Sequence, residues 1–191
     1  MKEMCRDDNH DSDADEDDWI HYEGLDMRIR SARIEDSHNI SKLIERSALP
    51  HREDDFDDAG WFRFVESNSE SGIVAKLGED RRVTLIAEEG DQMQGLISLT
   101  GGDKIDLLFV CPHHRRKGVA SRLWEAVHVQ SEQDTDPVEF WVRSSSAGVP
   151  FYERLGFTIE NGRQTFSGIS FFLMKLRINS QLNGDTISGA G

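Results

Sequence analysis

Cysteine and proline are scarce in this chain, with two and four copies among its 191 residues. Two thiols, Cys5 and Cys111, make no disulfide framework, so the fold has to rest on a packed core, and a reducing compartment is the simpler expectation. Long apolar runs are missing too. Nothing approaches the roughly 18 residues that a membrane span needs, and the N-terminus shows no short apolar export segment. A soluble, cytoplasmic protein with no membrane partner is expected. Positive charge is in short supply: 22 Lys and Arg stand against 36 Asp and Glu, a formal net charge of −14. Such a surface repels a phosphate backbone, so nucleic acid is not expected as a direct partner.

The acidic excess is unevenly placed. Residues 1–26 hold eleven Asp or Glu against Lys2 and Arg6, with Trp19, Ile20 and Tyr22 as the few core-forming residues. That composition reads as an acidic, flexible tail. Residues 179–191 are polar and rich in glycine and read as a second flexible tail. Between them, residues 27–178 have the length and hydrophobic content of one compact domain.

Within that body the apolar period changes along the chain. Met27–Ala32 alternates as a strand does. Ile40, Leu43 and Ile44 share one helical face behind the capping candidates Asp36 and Ser37. An acid-crowded connection from Glu53 to Asp58 leads to Trp61, Phe62, Phe64 and Val65 as a short apolar helix, and a further helix ends at Gly78. Two strands flank a turn at Glu89–Asp91, an antiparallel hairpin signal. Lys104–Val110 reads as a buried strand, Arg116–Gln130 as a helix and Val138–Val142 as a strand. A short helix over Gly148–Gly156 and strands near Phe157–Glu160 and Ser170–Leu176 close the domain. The pattern is an α/β fold with a mixed sheet.

Four bases, His114 to Lys117, stand immediately before Gly118-Val119-Ala120 and the start of a helix. A helix start leaves four N–H groups without intrahelical partners, and the helix dipole adds positive potential there, so this junction suits a phosphate. A glycine lets an anion approach with no Cβ in the way. A solvated basic turn would look much the same, and the context narrows the choice: the strand before it ends in Val-Cys-Pro, and neither a dinucleotide fingerprint nor a P-loop is present.

The run Arg115-Arg116-Lys117-Gly118-Val119-Ala120 resembles the acetyl-CoA loop of the GNAT acetyltransferase superfamily, Gln/Arg-x-x-Gly-x-Gly/Ala after a strand ending in Val-x-Pro. Downstream, Phe151-Tyr152-Glu153-Arg154-Leu155-Gly156-Phe157 is similar to that superfamily's second signature. The resemblance covers about residues 27–177. It implies a mostly antiparallel sheet of six or seven strands flanked by helices, with acetyl-CoA as the acetyl donor between the Lys104–Val110 and Val138–Val142 strands. It also implies direct acetyl transfer to a primary amine of a small molecule or peptide, and it is compatible with a homodimer.

The cofactor positions implied are Phe109 and Val110 at the strand end, Arg115, Arg116, Lys117, Gly118, Val119, Ala120 and Ser121 in the loop and helix start, and Ser145 where many relatives carry Asn. Tyr152 is the implied proton donor to the leaving thiolate; an ordinary helix residue is the alternative. Period two puts Lys104, Asp106, Leu108 and Val110 on one strand face; the resemblance implies a catalytic Glu or His on that face, which makes Asp106 the candidate base, directly or through water, with a partner for Lys104 or a solvated strand-end charge as the alternatives. The carboxylates from Glu53 to Asp58 border the acceptor side in the resemblance, and Trp61 and Phe62 either wall an acceptor pocket or pack helix against sheet. No metal is expected. A CoA-binding regulatory or interaction module without catalysis is the competing reading.

Overall fold

The computed structural model describes residues 20–21, 27–135 and 139–178. Most of the acidic tail, with Cys5, Trp19 and Tyr22, lies outside the described residues, as do Val138 and the C-terminal tail. Among the described residues nine strands occur in chain order: β1 Ile20–His21, β2 Met27–Ser31, β3 Arg82–Glu89, β4 Gln92–Thr100, β5 Lys104–Val110, β6 Glu139–Ser144, β7 Thr158–Ile159, β8 Gln164–Phe166 and β9 Ile169–Arg177. The helices are α1 Ser37–Ala48, α2 Arg52–Asp55, α3 Asp58–Ser67, α4 Glu70–Leu77, α5 Val119–Thr135 and α6 Val149–Arg154. The sheet order is β1-β2-β3-β4-β5-β6-β9-β7, and β8 forms a hairpin with β9. Every pairing is antiparallel except β5 with β6, which α5 joins as a crossover. The seven strands read from the sequence are all present. β1 and β8 are additions too short to show a period.

The sheet has a core on each face. On one, α5 and α6 lay Leu123, Trp124, Val127 and Tyr152 over Ile97, Ile105, Phe140 and Met174. On the other, α1 and α4 lay Ile40, Leu43, Ile44 and Ile73 over Ile86, Leu96 and Leu107. Burial of each such aliphatic side chain stabilises the fold by about 1.5–3 kcal/mol, so both helical layers are held firmly to the sheet. Asp57 caps α3 by accepting from the Gly60 N–H at 2.7 Å, and Ser69 caps α4 through the Gly72 N–H at 3.3 Å. Asp36 does not cap α1: its carboxylate takes the Arg30 guanidinium at 2.8 Å and the Arg33 N–H at 2.7 Å instead.

Two features of the sheet shape the site. The β4–β5 register slips between Ser98 and Leu99, so that Ser98 faces Leu107 and Leu99 faces Ile105, leaving Asp106 as the extra residue of a β-bulge. The bulge overrides strict alternation. Ile105 packs with Leu108 and Val110 beneath α5, whereas Leu107 and Phe109 pack on the α1 side. In addition, β5 and β6 pair only at Lys104–Trp141 and Ile105–Val142. Beyond that point β5 stays with β4 as far as Val110, and β6 stays with β9 as far as Ser144, so the two middle strands part.

Candidate active site

The parting strands open a cleft of about 700 Å³ that reaches both faces of the sheet. Gly118, Val119, Ala120 and Ser121 line it on the α5 face, while Ala48, Phe56 and Phe64 line it on the α1 face. Its size is that of a small-molecule or cofactor site. Along the cleft the inner edge of β5 from Asp106 onward has no strand partner on the β6 side, so part of its backbone is open to a ligand.

At the α5 end the loop takes the shape of an anion cradle. Arg116 and Gly118 both have positive φ, 63° and 83°, a backbone form that builds concavities of N–H groups. The first intrahelical bond runs from the Arg122 N–H to the Gly118 carbonyl at 3.1 Å. The N–H groups of Val119, Ala120 and Ser121 precede it in the first turn and have no acceptor within the helix. Arg116 and Gly118 to Ser121 thus come together at the cleft, as do Phe109, Val110, Ser145 and Tyr152. Lys117 is exposed and does not line the cleft. Arg115 lines it but is turned toward α1, donating to the Ser47 carbonyl at 2.9 Å and approaching His51 at 3.4 Å, so it ties the loop to α1. Ser145 accepts from the Gly148 N–H at 3.2 Å and helps to start α6.

Tyr152 lies between the rings of Phe151 and Phe157, at 5.3 and 5.4 Å, and its residue surface is 6% exposed. Burial pushes its phenol pKa up, which keeps the hydroxyl protonated at neutral pH. Gly156, with φ of 92°, ends α6 behind it.

Asp106 is engaged on both oxygens. It accepts from Lys104 Nζ at 2.6 Å and from Arg82 Nη1 at 3.0 Å. Burial would raise its pKa, but those two cations together outweigh that and hold it below the usual carboxylate value. Such a group is a weak proton acceptor. Asp55, whose side chain is 1% exposed, lines the cleft on the α1 side. It accepts from the Ser146 N–H at 3.1 Å and the Ser146 hydroxyl at 2.6 Å, and Arg163 stands 3.5 Å away. Of its acidic neighbours, Asp57 caps α3 and Asp58 pairs with Arg52. Asp55, Asp57 and Asp58 therefore do structural jobs, and of the Glu53–Asp58 carboxylates Asp55 alone lines the cleft.

Phe62 is 67% exposed and Trp61 lies behind the wall, stacked on Phe64 at 5.6 Å. The wall residues themselves are Phe56, Phe64, Phe109 and Phe171, joined by Arg143. Phe56 and Arg143 carry no local signal in the sequence; chain segments distant in sequence bring them here. His114 also lines the cleft, with a buried Nδ1 that has no hydrogen-bond partner among the described residues, and burial followed by Lys117 lowers its pKa. Cys111 is buried in the α1-side core. Among the described residues no cluster of side chains suits a metal ion, and no helix is long and apolar enough to cross a membrane.

A mixed sheet parted between two central strands, with a helix N-terminus at the mouth of the gap, defines a nucleotide-cofactor class of site. The family model described as an acetyltransferase (GNAT) domain matches residues 53–178, and the chain belongs to the GNAT acetyltransferase family. Solved structures share the fold. A GCN5-related N-acetyltransferase from Rhodopseudomonas palustris is 22% identical, with a TM-score of 0.69 over 78% of this chain and 94% of its own. The PaiA N-acetyltransferase of Thermoplasma acidophilum, solved with coenzyme A, is 17% identical, with a TM-score of 0.69 over 80% and 99%. The spermidine/spermine N-acetyltransferase SpeG of Vibrio cholerae is 15% identical, with a TM-score of 0.56 over 80% and 94%. No curated protein matches the chain in sequence.

Proposed function

We propose that the protein is an acetyl-CoA-dependent N-acetyltransferase that moves an acetyl group directly to a primary amine. The observation that carries this reading is the cleft itself, where a positive-φ cradle at Arg116–Gly118 and the unpaired edge of β5 meet beside Tyr152. The site fits the donor part by part. The N–H groups at the start of α5 suit a pyrophosphate. The open edge of β5 suits the amide groups of a pantetheine arm, which pair with backbone as an added strand does. Bound acetyl-CoA supplies a thioester carbonyl that an amine attacks.

The chain's own groups then divide the work. The Val110 backbone borders the carbonyl end of the cleft, and its N–H, on the strand side opposite the Cys111 N–H that bonds the Gln94 carbonyl of β4, is a donor for the charge that develops on oxygen. Tyr152, kept protonated by burial, gives its hydroxyl proton to the departing sulfur. Asp106, held ionised by Lys104 and Arg82, anchors the bulge that parts β5 from β6 and takes no proton. The acceptor nitrogen attacks as the neutral amine and loses one proton to water as the amide forms, and water returns a proton to the Tyr152 phenolate. The products are an N-acetyl amine and the free thiol of coenzyme A.

The test is release of that thiol on incubation with acetyl-CoA and a panel of primary amines, with the acetylated product identified by mass. Amine-dependent thiol release supports the reading. Tight acetyl-CoA binding without release across the panel favours the binding module that Tyr152 alone does not distinguish from an enzyme.

A further inference from the structure

The face of the cleft opposite α5 has a chemistry of its own. Its wall is aromatic: the Phe56 and Phe64 rings lie 5.0 Å apart, and those of Phe64 and Phe109 lie 6.3 Å apart. Two carboxylates line the cleft, and neither is open to a ligand. Asp55 is saturated by Ser146 and faced by Arg163, and Asp106 is held by Lys104 and Arg82. A polycationic amine entering here would meet no free negative charge.

Arg143 is the contrasting group. Val142 before it is buried in the α5-side core, so alternation along β6 turns Arg143 to the opposite face, where its guanidinium lies 5.0 Å from the centre of the Phe171 ring. The guanidinium groups of Arg30, Arg52, Arg82, Arg163 and Arg177 each sit on a carboxylate. Arg143, although exposed in a chain of net charge −14, has no ion pair or hydrogen bond among the described residues. A guanidinium stacked on a ring keeps its N–H edge directed outward, in the fork that matches a carboxylate with two parallel bonds.

We infer that the acceptor is an amine that also bears a carboxylate on an apolar body, as an amino acid with a large hydrophobic side chain does. Arg143 takes the carboxylate, the phenylalanine wall takes the apolar body, and the amino group is left to point at the parted strands. The inference rests on the acetyl-transfer reading of the same cleft. Arg143 is then the residue that sets acceptor specificity, and Asp55 positions the Ser146 loop beside it.

The experiment begins with a calorimetric titration of coenzyme A. The CoA-saturated protein is then titrated with 3-phenylpropanoate, which has the carboxylate and the apolar body but no amine. In parallel, kcat/KM is measured for L-phenylalanine and for 2-phenylethylamine in the wild type, Arg143→Gln and Arg143→Lys, with melting curves as the check on folding. The expected result is that 3-phenylpropanoate binds the wild type, that Arg143→Gln weakens it roughly tenfold or more, and that preference for L-phenylalanine over 2-phenylethylamine falls by a similar factor. Arg143→Lys, which keeps charge without the fork, recovers only part of both. The inference is overturned if 3-phenylpropanoate does not bind the CoA-saturated wild type, or if the preference ratio is the same in Arg143→Gln as in the wild type. Failure to bind coenzyme A in the first titration is a separate result that overturns the donor reading and this inference with it.

Discussion

At the scale of single residues, environment assigns different roles to Tyr152 and Asp106. Tyr152 is held by two aromatic neighbours and by burial that favours the neutral phenol. Tyr152→Phe removes one oxygen and keeps the ring, so melting temperature and acetyl-CoA affinity should stay near wild type while kcat falls roughly 10²–10⁴-fold; steady-state kinetics with any accepted amine checks this. Asp106 has a depressed pKa, so its contribution to stability is present above the ordinary carboxylate value and is lost as pH falls through its lower folded value. Asp106→Asn leaves Lys104 without its anion and Arg82 with Glu79 alone, 2.8 Å away. It should therefore cost about 1–3 kcal/mol at neutral pH, and urea unfolding should show the gap to wild type closing in acid. The pH–rate profile should keep its acidic limb in that variant, because a carboxylate already held ionised is not the group that titrates there. Arg115 shows the limit of reading a base by its place in a motif: its position marks the loop, but its guanidinium serves α1.

At the scale of elements, what was legible in the sequence is what is encoded locally. The turn from β5 into α5 is announced by Val-x-Pro, four bases and a glycine, and α6 by an aromatic helix that stops at Gly156; both hold within a residue or a few. The bulge at Asp106 was not legible, because it is a register relation between β4 and β5 that neither strand declares alone. The same is true of the clamp beside the aromatic wall. There the Asp57 N–H donates to the Gly168 carbonyl at 3.0 Å, Arg63 reaches the Ser167 carbonyl at 3.0 Å, and Phe56 bridges to Ile169, joining the start of α3 to the tip of the β8–β9 hairpin. Gly60 permits that contact, since a Cβ there would collide with the Gly168 carbonyl. Gly60→Ala should therefore destabilise the domain by about 1–3 kcal/mol through overpacking, read by thermal or urea unfolding. It should also raise the acceptor KM more than the acetyl-CoA KM, because the clamp borders the aromatic wall and not the α5 cradle. Equal changes in the two constants would contradict this division of the cleft.

At the scale of the whole molecule, an acidic chain lines the cleft where two strands part with Arg115, Arg116, Arg143 and Arg154. Helices cover both faces of the sheet, and in the gap between β5 and β6 the inner edge of β5 has no strand partner. The chain belongs to the GNAT family, and the solved relatives share its fold. The central claim is that this gap, entered past Gly118, is where the acetyl donor sits. Gly118 has a φ of 83°, and a Cβ there would come within 3.3 Å of the Arg122 guanidinium. Valine is strained in that conformation by roughly 1–3 kcal/mol and would distort the cradle. The most direct measurement is calorimetric titration of acetyl-CoA into the wild type and Gly118→Val, each first shown to be folded by circular dichroism. The account predicts one molecule bound per wild-type chain and affinity at least roughly tenfold weaker in the variant; equal affinity in the two proteins, or no binding to the wild type, would contradict it.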